Sequence, residues 1–255
     1  MPIILFTSNN LASRNIASVL IEKYDFAQVD AHRWERSGAH LIDTNASNIL
    51  EIPTSFDTDY IIVLSSHKSR SGERMITAHF PGNWKEAEMG GSPRTLNIAY
   101  GSKLREFVKI TSGRGWDVVI EADHHGPTPG NKAIIFVEIG STESEWIRED
   151  AAEIVACGVD AMVRRRERYE SVFGVGGGHY AKEFTKLVLS TEYAVGHIAP
   201  KYVLNDLDFE LFKQAIEKNV EPIEKVFVLA ESTNRTQKEK ILEFASKLGV
   251  DYTEI

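Results

Sequence analysis

The sequence predicts an α/β fold with a mixed, largely parallel sheet covered by helices. Short apolar runs such as YIIVLS, DVVIEA, AIIFVEI and KVFVLA recur along the 255 residues. Their continuous apolar character is typical of strands that are buried on both faces. Segments with helical periodicity lie between several of these runs. This mixture of the two patterns indicates a sheet packed against helices.

The elements follow from these patterns in chain order. The first run, PIILFT, lacks the basic flank and the small-residue cleavage site of a signal peptide, so we interpret it as a first strand. We expect strands at residues 2–7, 26–30, 60–65, 116–121, 133–139, 172–175, 194–198 and 225–229. Helical periodicity predicts helices at residues 11–24, 102–111, 145–168, 181–189, 209–218 and 237–248. Two polar stretches, 66–100 and 123–132, fit neither pattern, and long loops inside a domain are often functional.

The chain length permits one large α/β domain or two smaller ones. No internal repeat or low-complexity tract is visible in the 255 residues. A soft boundary lies at residues 169–171, directly after the longest predicted helix. We therefore expect a single domain over residues 1–255 with a possible subdivision near 169–171.

Composition limits the classes of function. A net charge of −8 argues against a protein that coats nucleic acid nonspecifically, because phosphate contacts need Lys and Arg. The densest basic run, residues 164–168, is interpreted as a solvated helix face. No apolar stretch is long enough to span a membrane, and the cytoplasm is the expected compartment. Cys157 is the only cysteine, which excludes an intramolecular disulfide and a thiolate-rich zinc site; its apolar helical surroundings predict a core residue.

The histidines carry the main evidence for a site. Six of the eight histidines occur at strand ends or in the polar loops: His67, His79, His124, His125, His179 and His197. Ligands of open α/β sheets bind at the carboxyl ends of strands, so these histidines would converge if their strands are parallel neighbours. His32 and His40 lie in an ordinary polar region near the N-terminus.

Two adjacent histidines follow a predicted strand in EADHHGPT. Neighbours on an extended chain point to opposite faces, so a loop that directs one or both rings into a cleft is the simpler interpretation. Glu121, Asp123 and Glu138 lie at strand ends nearby. Histidine with carboxylate can bind zinc or act as a general base. The spacing matches no zinc motif, because H-E-x-x-H and C-x-x-C are both absent. Both uses stay open.

The glycine run in FGVGGGHY has two interpretations. Backbone N–H groups of Gly176, Gly177 and Gly178 can present an anion site before a helix, or the run can be a tight turn with close packing. A dinucleotide cofactor is excluded because His179 occupies the position of the last glycine of that fingerprint. Trp84, in TAHFPGNW, could stack on a base or ring.

Five segments taken together resemble the archaeal-type D-aminoacyl-tRNA deacylases, which also occur in plants. They are SSHKSRSGERMITAHFPGNW, EADHHGPT, FVEIGSTESEW, GVGGGHYAKEFTK and GHIAPKY, in the same order between residues 65 and 202. The resemblance implies hydrolysis of the ester that joins a D-amino acid to the 3′ end of tRNA, hence chirality proofreading and D-amino acid detoxification. It also implies zinc, as one or two ions, and a phosphorylase/hydrolase-like fold.

The resemblance also implies site residues, although the motifs do not separate ligands from bases. The motif acids are Glu121, Glu138 and Glu143. We expect His125, Glu121 and His79 in catalysis, and His79, His124, His179 and Glu138 at the metal. We expect substrate contacts from Gly176, Gly177, Gly178, His67, Arg70, His197 and Lys201, with Arg70 and Lys201 on terminal phosphates.

Ester hydrolysis needs an attacking water and stabilisation of an oxyanion. Zinc can supply both, and a histidine base with backbone N–H groups from the glycine run can do so without metal. The acidic body predicts a small footprint confined to the acceptor end of tRNA, and we separately expect a monomer. Two alternatives remain: a zinc peptidase or amidohydrolase on a similar sheet, and an RNA- or nucleotide-binding module without catalysis. A binding module without catalysis has no need for so many strand-end histidines. A peptidase is distinguished from a deacylase by comparing the hydrolysis of a free dipeptide with that of D-aminoacyl-tRNA.

Overall fold

The computed structural model describes residues 1–48, 51–69 and 72–255 of the chain. The first part contains β1 (Ile3–Phe6), α1 (Leu11–Lys23), β2 (Ala27–Asp30), β3 (Arg33–Arg36), β4 (Ala39–Asp43), β5 (Tyr60–Ser66), β6 (Met75–His79), β7 (Gly82–Asn83), β8 (Thr95–Leu96), α2 (Gly101–Thr111), β9 (Asp117–Ile120) and β10 (Ala133–Gly140). The second part contains α3 (Glu143–Trp146), α4 (Glu149–Arg164), β11 (Ser171–Val175), α5 (Lys182–Ser190), β12 (Ala194–Ala199), α6 (Phe209–Glu217), β13 (Ile223–Val228), α7 (Arg235–Leu248) and β14 (Asp251–Glu254).

Two sheets organise the chain. The larger has eight strands in the order β2-β3-β4-β1-β5-β10-β6-β9. Strands β4, β1, β5 and β10 run parallel, β6 is antiparallel to β10, and β9 is parallel to β6. The smaller sheet, β12-β11-β13-β14, is entirely parallel. The mixed, largely parallel α/β prediction is therefore confirmed.

The larger sheet buries its two faces differently. Helices α1, α2 and α4 pack on one face, against side chains such as Ile4, Ile62 and Leu64. On the other face Leu5, Val63 and Phe136 form a smaller cluster, which contains no α-helical residue within the described ranges. This second face carries the candidate site described below.

The two sheets share a core around α2. Phe107 of α2 clusters with Val172 and Val195 of the smaller sheet as well as with the larger sheet. On its far side the smaller sheet packs against α6 and α7. The smaller sheet begins at Ser171, the last residue of the range 169–171 where a boundary was expected. A single domain with a subdivision there stays a prediction, which the shared core supports.

Several elements differ from the sequence-based expectation. The helix predicted at 145–168 is divided into α3 and α4, and α4 ends at Arg164, where Arg165 turns to an extended conformation with ψ 141°. The basic run at 164–168 is therefore not a helix face, and that interpretation was wrong. Strands β3, β4, β6 and β14 were not expected, and β6 lies inside the polar stretch 66–100. No helix in the described part of the chain has the length and apolar character that a membrane crossing requires.

Candidate active site

The site forms on one face of the larger sheet because β6 and β9 run against β10. His79 lies opposite Phe136, and Thr77 lies opposite Glu138. Glu121 follows Ile120, which pairs with Ala78, and its N–H donates to the Ala78 carbonyl. Residues directly opposite on adjacent strands point to the same face, so His79 and Glu138 share this face. The expected parallel arrangement was wrong between β6 and β10, which are antiparallel, so the site lies on a face of the sheet rather than at one shared carboxyl edge.

Two further segments add histidines from beyond the strands. The loop after β9 carries His124 and His125. The segment after β11 adds His179, because its carbonyl accepts from Ala122 N–H at 2.9 Å and Tyr180 forms an isolated bridge with Glu121. The glycine run therefore places His179 next to the end of β9.

The result is a continuous cluster of histidines and glutamates. Its ligand atoms fall into three overlapping groups, each within 4.8 Å: His79, His124 and His125; Glu121, His124 and His179; His67, Glu121 and Glu138. The His124 ring centroid lies 4.1 Å from that of His79, 4.5 Å from that of His125 and 4.7 Å from that of His179. Five of the six predicted histidines meet here; His197 and the exposed Glu143 belong to none of these groups.

Backbone carbonyls orient three of the histidines in the same way. The Nδ1 atoms of His79, His124 and His125 lie 3.2, 3.0 and 2.5 Å from the carbonyl oxygens of Phe80, Ala122 and Gly126. A carbonyl only accepts, so each Nδ1 donates and each neutral ring keeps its lone pair on Nε2. Histidines that bind metal usually donate their other N–H to a carbonyl or carboxylate in this way.

Burial controls the protonation of the cluster. Burial lowers the pKa of His79 well below its usual value, and the neighbouring His124 and His125 lower it further. Burial also lowers the pKa of His124, and burial with the adjacent His124 lowers that of His125 to about 4. Burial opposes ionisation of Glu121, but the hydrogen bond from His179 and the nearby histidines lower the pKa of its carboxyl group. Neutral imidazoles therefore face an ionised carboxylate at pH 7.

The polar atoms left without partners indicate a cation. Within the described residues His79 Nε2 and both carboxylate oxygens of Glu121 are buried and lack a hydrogen bond of good geometry. Glu121 Oε1 nevertheless lies 3.1 Å from His179 Nε2 and 3.2 Å from His67 Nδ1. Buried polar atoms are rarely left unsatisfied. Imidazole nitrogens and carboxylate oxygens at these separations are a donor set that fits a metal ion.

A cavity of about 350 Å³ opens beside the cluster. His124 and His125 line it together with Trp84 and Tyr202, whereas His79 is fully buried. A fully buried ring cannot touch a substrate from this cavity, so His79 fits a ligand better than a base. His125 has a positive φ of 48°, an uncommon conformation that is often found at functional sites.

Two glycines set the shape of the histidine loop. A Cβ at Gly126 would lie 2.4 Å from Gly91 N, and one at Gly91 would lie 2.9 Å from Asn83 Nδ2 and from Thr128 Oγ1. Gly126 N–H also donates to the Met89 carbonyl at 3.1 Å. The loop at 85–92 therefore packs directly against the turn that follows His125.

Two predicted substrate contacts are corrected by the structure. His197 is 0% exposed, with Nδ1 2.6 Å from Asp123 Oδ1 and Nε2 2.9 Å from the Lys218 carbonyl. His67 is buried, with Nε2 2.8 Å from Tyr180 Oη and Nδ1 facing Glu121 and Glu138. Burial opposes protonation of His67, but its hydrogen bond to Glu138 and the two carboxylates raise its pKa. Both rings have their nitrogens occupied within the fold, and neither is free to bind substrate.

The glycine run differs in part from the expected anion site. Gly176 N–H donates to the Ala199 carbonyl and Gly177 N–H to Ser232 Oγ, each at 2.8 Å. An anion cradle made by these two N–H groups was therefore a wrong expectation. Gly177, Gly178 and the exposed Lys201 instead line a second cavity of about 620 Å³. Arg70 lies outside the described residues.

Sequence reasoning placed Asp123 among the strand-end acids but missed its contact between the sheets, and it assigned no role to Tyr180 or Tyr202. Asp123 joins the two sheets, since it also accepts from Ile198 N–H at 2.7 Å. Tyr180 reaches His67, and Tyr202 forms the rim of the histidine cavity with 52% exposure. Tyr180 directly follows His179, which was the only available signal, because the other two act through contacts between distant segments.

Comparison with known proteins gives consistent relatives. A family model described as D-aminoacyl-tRNA deacylase matches residues 54–253. A Pyrococcus furiosus protein named D-aminoacyl-tRNA deacylase is 31% identical, with 99% of each chain covered. Proteins of the same name from Thermococcus kodakarensis and Ignicoccus hospitalis are 32% and 36% identical, over 99% and 81% of this chain and 99% and 87% of their own. A crystal structure of a conserved protein of unknown function superposes with a TM-score of 0.92 at 27% identity, covering 100% of this chain and 95% of its own.

The Asp123 contact generates a prediction about stability. Asp123→Ala leaves two buried groups, His197 Nδ1 and Ile198 N–H, without their acceptor, and each such loss costs about 1–3 kcal/mol. We expect the free energy of unfolding, measured with urea, to fall by about 2–5 kcal/mol. Asp117→Ala, at the exposed start of β9, is the control and should change the free energy of unfolding by less than about 0.5 kcal/mol. Equal stabilities of the two variants would contradict this role for Asp123.

Proposed function

The chain belongs to the D-aminoacyl-tRNA deacylase family, and we propose that it hydrolyses the ester bond of D-aminoacyl-tRNA to release a free D-amino acid and tRNA. The observation that carries this function is the cluster of histidines and glutamates beside a cavity of about 350 Å³. The family match over residues 54–253 favours this reaction over a zinc peptidase, an amidohydrolase or an RNA-binding module without catalysis.

Zinc is the metal that the donor set favours. Zinc is bound by imidazole nitrogen and carboxylate oxygen, usually by three protein ligands in catalytic sites. His79, His124 and His179 are the proposed histidine ligands, and Glu121 shares a group with two of them. Glu138, the predicted carboxylate ligand, has Oε2 4.0 Å from His79 Nε2. The three groups of donors overlap, because His124 and Glu121 each belong to two of them. The cluster therefore has donors for one or two ions. When bound, zinc supplies a Lewis acid that activates water and polarises an ester carbonyl.

The side chains around the metal have separable tasks. Glu121 stays ionised, but its side chain is fully buried and does not line the cavity, so its proposed catalytic task is to hold the metal or the attacking water through its two carboxylate oxygens rather than to contact the substrate. His125 lines the cavity as a neutral ring with its lone pair on Nε2. With a pKa of about 4 it is a weak base, so its proposed task is to hold the water or the metal rather than to remove the proton.

The cavities suggest how the tRNA end is held. Tyr202 is exposed at the rim of the histidine cavity and can stack on the terminal base, as aromatic side chains do with single-stranded RNA. Lys201, the preceding residue, lines the second cavity with Gly177 and Gly178, and its proposed partner is a terminal phosphate. The same proposal for Arg70 rests on sequence alone. We further propose that the protein acts as a monomer in the cytoplasm, where its tRNA substrate is used.

The first prediction concerns chirality. We expect purified protein to release D-tyrosine from D-tyrosyl-tRNA and to leave L-tyrosyl-tRNA intact, because the family is defined by the D enantiomer. The measurement is a time course of both labelled substrates under the same conditions. Equal rates for the two enantiomers, or no hydrolysis of either, would remove the proposed function.

The second prediction concerns zinc. Elemental analysis of purified protein should find one or two zinc ions per chain, and chelation should abolish hydrolysis. His124→Ala removes a donor shared by two groups, so zinc affinity should fall by about 10–100-fold or more. His40→Ala, which changes a partly exposed ring paired with Glu35, is the control and should keep its zinc. Full activity of metal-free protein would contradict a role for zinc.

The third prediction concerns His125. Asparagine tolerates a positive φ but lacks the imidazole Nε2 that is proposed to hold the water or the metal, so His125→Asn should fold and lose about 10–100-fold in turnover rate. His32→Asn changes an exposed histidine between β2 and β3 and should leave turnover unchanged. Thermal melting of both variants checks the fold. A folded His125→Asn protein with wild-type turnover would show that this ring is structural.

A further inference from the structure

A large cleft lies away from the histidines. It has a volume of about 930 Å³ and lies around the end of α4. Its cationic side chains are Lys103, Arg164, Arg165, Arg166 and Arg168, and its one carboxylate is Asp59, which is paired with the N-terminal amine at 2.7 Å. We call it the arginine cleft. A basic cleft on a chain of net charge −8 is a local reversal of the overall charge.

The arginines of this cleft differ in how they are neutralised. Arg164 pairs with Asp160 at 2.8 Å, and Arg165 pairs with Glu106 at 2.7 Å. Arg166 and Arg168 are exposed and make no ion pair with a carboxylate within the described ranges. Arg166 therefore keeps its guanidinium N–H donors available for phosphate oxygens, which arginine can bind in a bidentate manner, whereas Arg168 also contacts Tyr100, with its guanidinium carbon 6.0 Å from the ring centroid.

Hydrogen bonds to residues of α2 fix the segment that carries these arginines. Tyr169 N–H donates to Ser102 Oγ at 2.9 Å, and Tyr169 Oη donates to Glu106 Oε1 at 2.7 Å. Lys103 Nζ donates to the carbonyls of Met162 and Arg165. The backbone between α4 and β11 is therefore held at both ends, and the arginines are presented from a fixed support. Fixing the donors before binding lowers the entropy lost when a ligand is bound.

One short segment connects this cleft to the histidine cavity. Gly82 lines the histidine cavity and pairs with Leu96, while Tyr100 lines the arginine cleft. Paired Cα atoms on antiparallel strands lie about 5 Å apart, and four Cα–Cα steps of about 3.8 Å separate Leu96 from Tyr100, so the Cα atoms of Gly82 and Tyr100 are at most about 20 Å apart. A nucleic-acid strand covers this distance in about six nucleotides at a rise of about 3.4 Å.

We propose that the arginine cleft binds backbone phosphates of the tRNA acceptor arm while the aminoacylated 3′ end lies in the histidine cavity. This inference rests on the proposed function and adds a second, phosphate-binding contact to it. The footprint on tRNA then extends beyond the terminal nucleotide, although the chain has a net charge of −8. The contact carries no information about the amino acid, because phosphate contacts position a nucleic acid without reading it.

The test is a double charge reversal, Arg166→Glu with Arg168→Glu. The control is Arg33→Glu with Arg235→Glu, which changes net charge equally at two exposed positions elsewhere. KM and kcat are measured on D-tyrosyl-tRNA and on D-tyrosyl-adenosine, which has the ester without the phosphates. Binding of uncharged tRNA is measured in parallel as a function of salt, and thermal melting checks the fold.

We expect the cleft variant to raise KM for D-tyrosyl-tRNA by at least about tenfold, with kcat little changed and D-tyrosyl-adenosine hydrolysed as by wild type. The slope of log affinity for tRNA against log salt should fall by about 1.4–1.8, the value for two lost phosphate contacts. A cleft variant that matches the control in KM and salt slope would overturn the proposal, as would an equal loss on both substrates. If wild type binds tRNA through the cleft but hydrolyses neither substrate, the proposed function fails and the binding surface does not.

Discussion

One buried carboxylate holds the two halves of the site together. Asp123 follows the end of β9 in the larger sheet and accepts hydrogen bonds from His197 and Ile198 of β12 in the smaller sheet. The next two residues are His124 and His125, so the loop that carries them leaves from a point fixed to both sheets. On the other side His179 is aligned with Ala122 through its carbonyl. The spacing of the histidines therefore depends on the contact between the sheets as much as on either sheet alone.

The reversed direction of β6 explains why acids and histidines meet on one face. Had β6 run parallel to β10, its last residue would lie near the end of β10 and not opposite Phe136. Burial on that face lowers the pKa of His79, His124 and His125, so these rings stay neutral. The hydrogen bond from His179 and the nearby histidines lower the pKa of Glu121, so its carboxyl group is ionised. A site of neutral nitrogen donors beside a carboxylate is the electrostatic form that favours a cation.

The sequence predicted β1, β5, β10 and the first three strands of the smaller sheet because their apolar runs are continuous, and it predicted most of the helices because their patterns are periodic. It missed β6, since MITAH is short and lies between polar segments, and it missed β3 and β4, which are mixed in polarity. Five of the six histidines that the sequence singled out from their positions at strand ends or in loops lie together in the structure. Their individual environments were not predictable: His197 and His67 have the same sequence signal as His125, but contacts with Asp123 and Tyr180 enclose them. Such contacts join residues 74 and 113 positions apart, which no local pattern records.

The two glycines at positions 91 and 126 constrain how this protein can change over evolution or in the laboratory. A side chain at either position would overlap the opposite loop, so neither can be substituted alone without displacing the other. Changes to the lining of the histidine cavity are therefore expected at the neighbouring loop positions Glu86, Glu88 and Met89, whose side chains line it. A library intended to accept bulkier acyl groups would begin at these three positions and keep both glycines fixed.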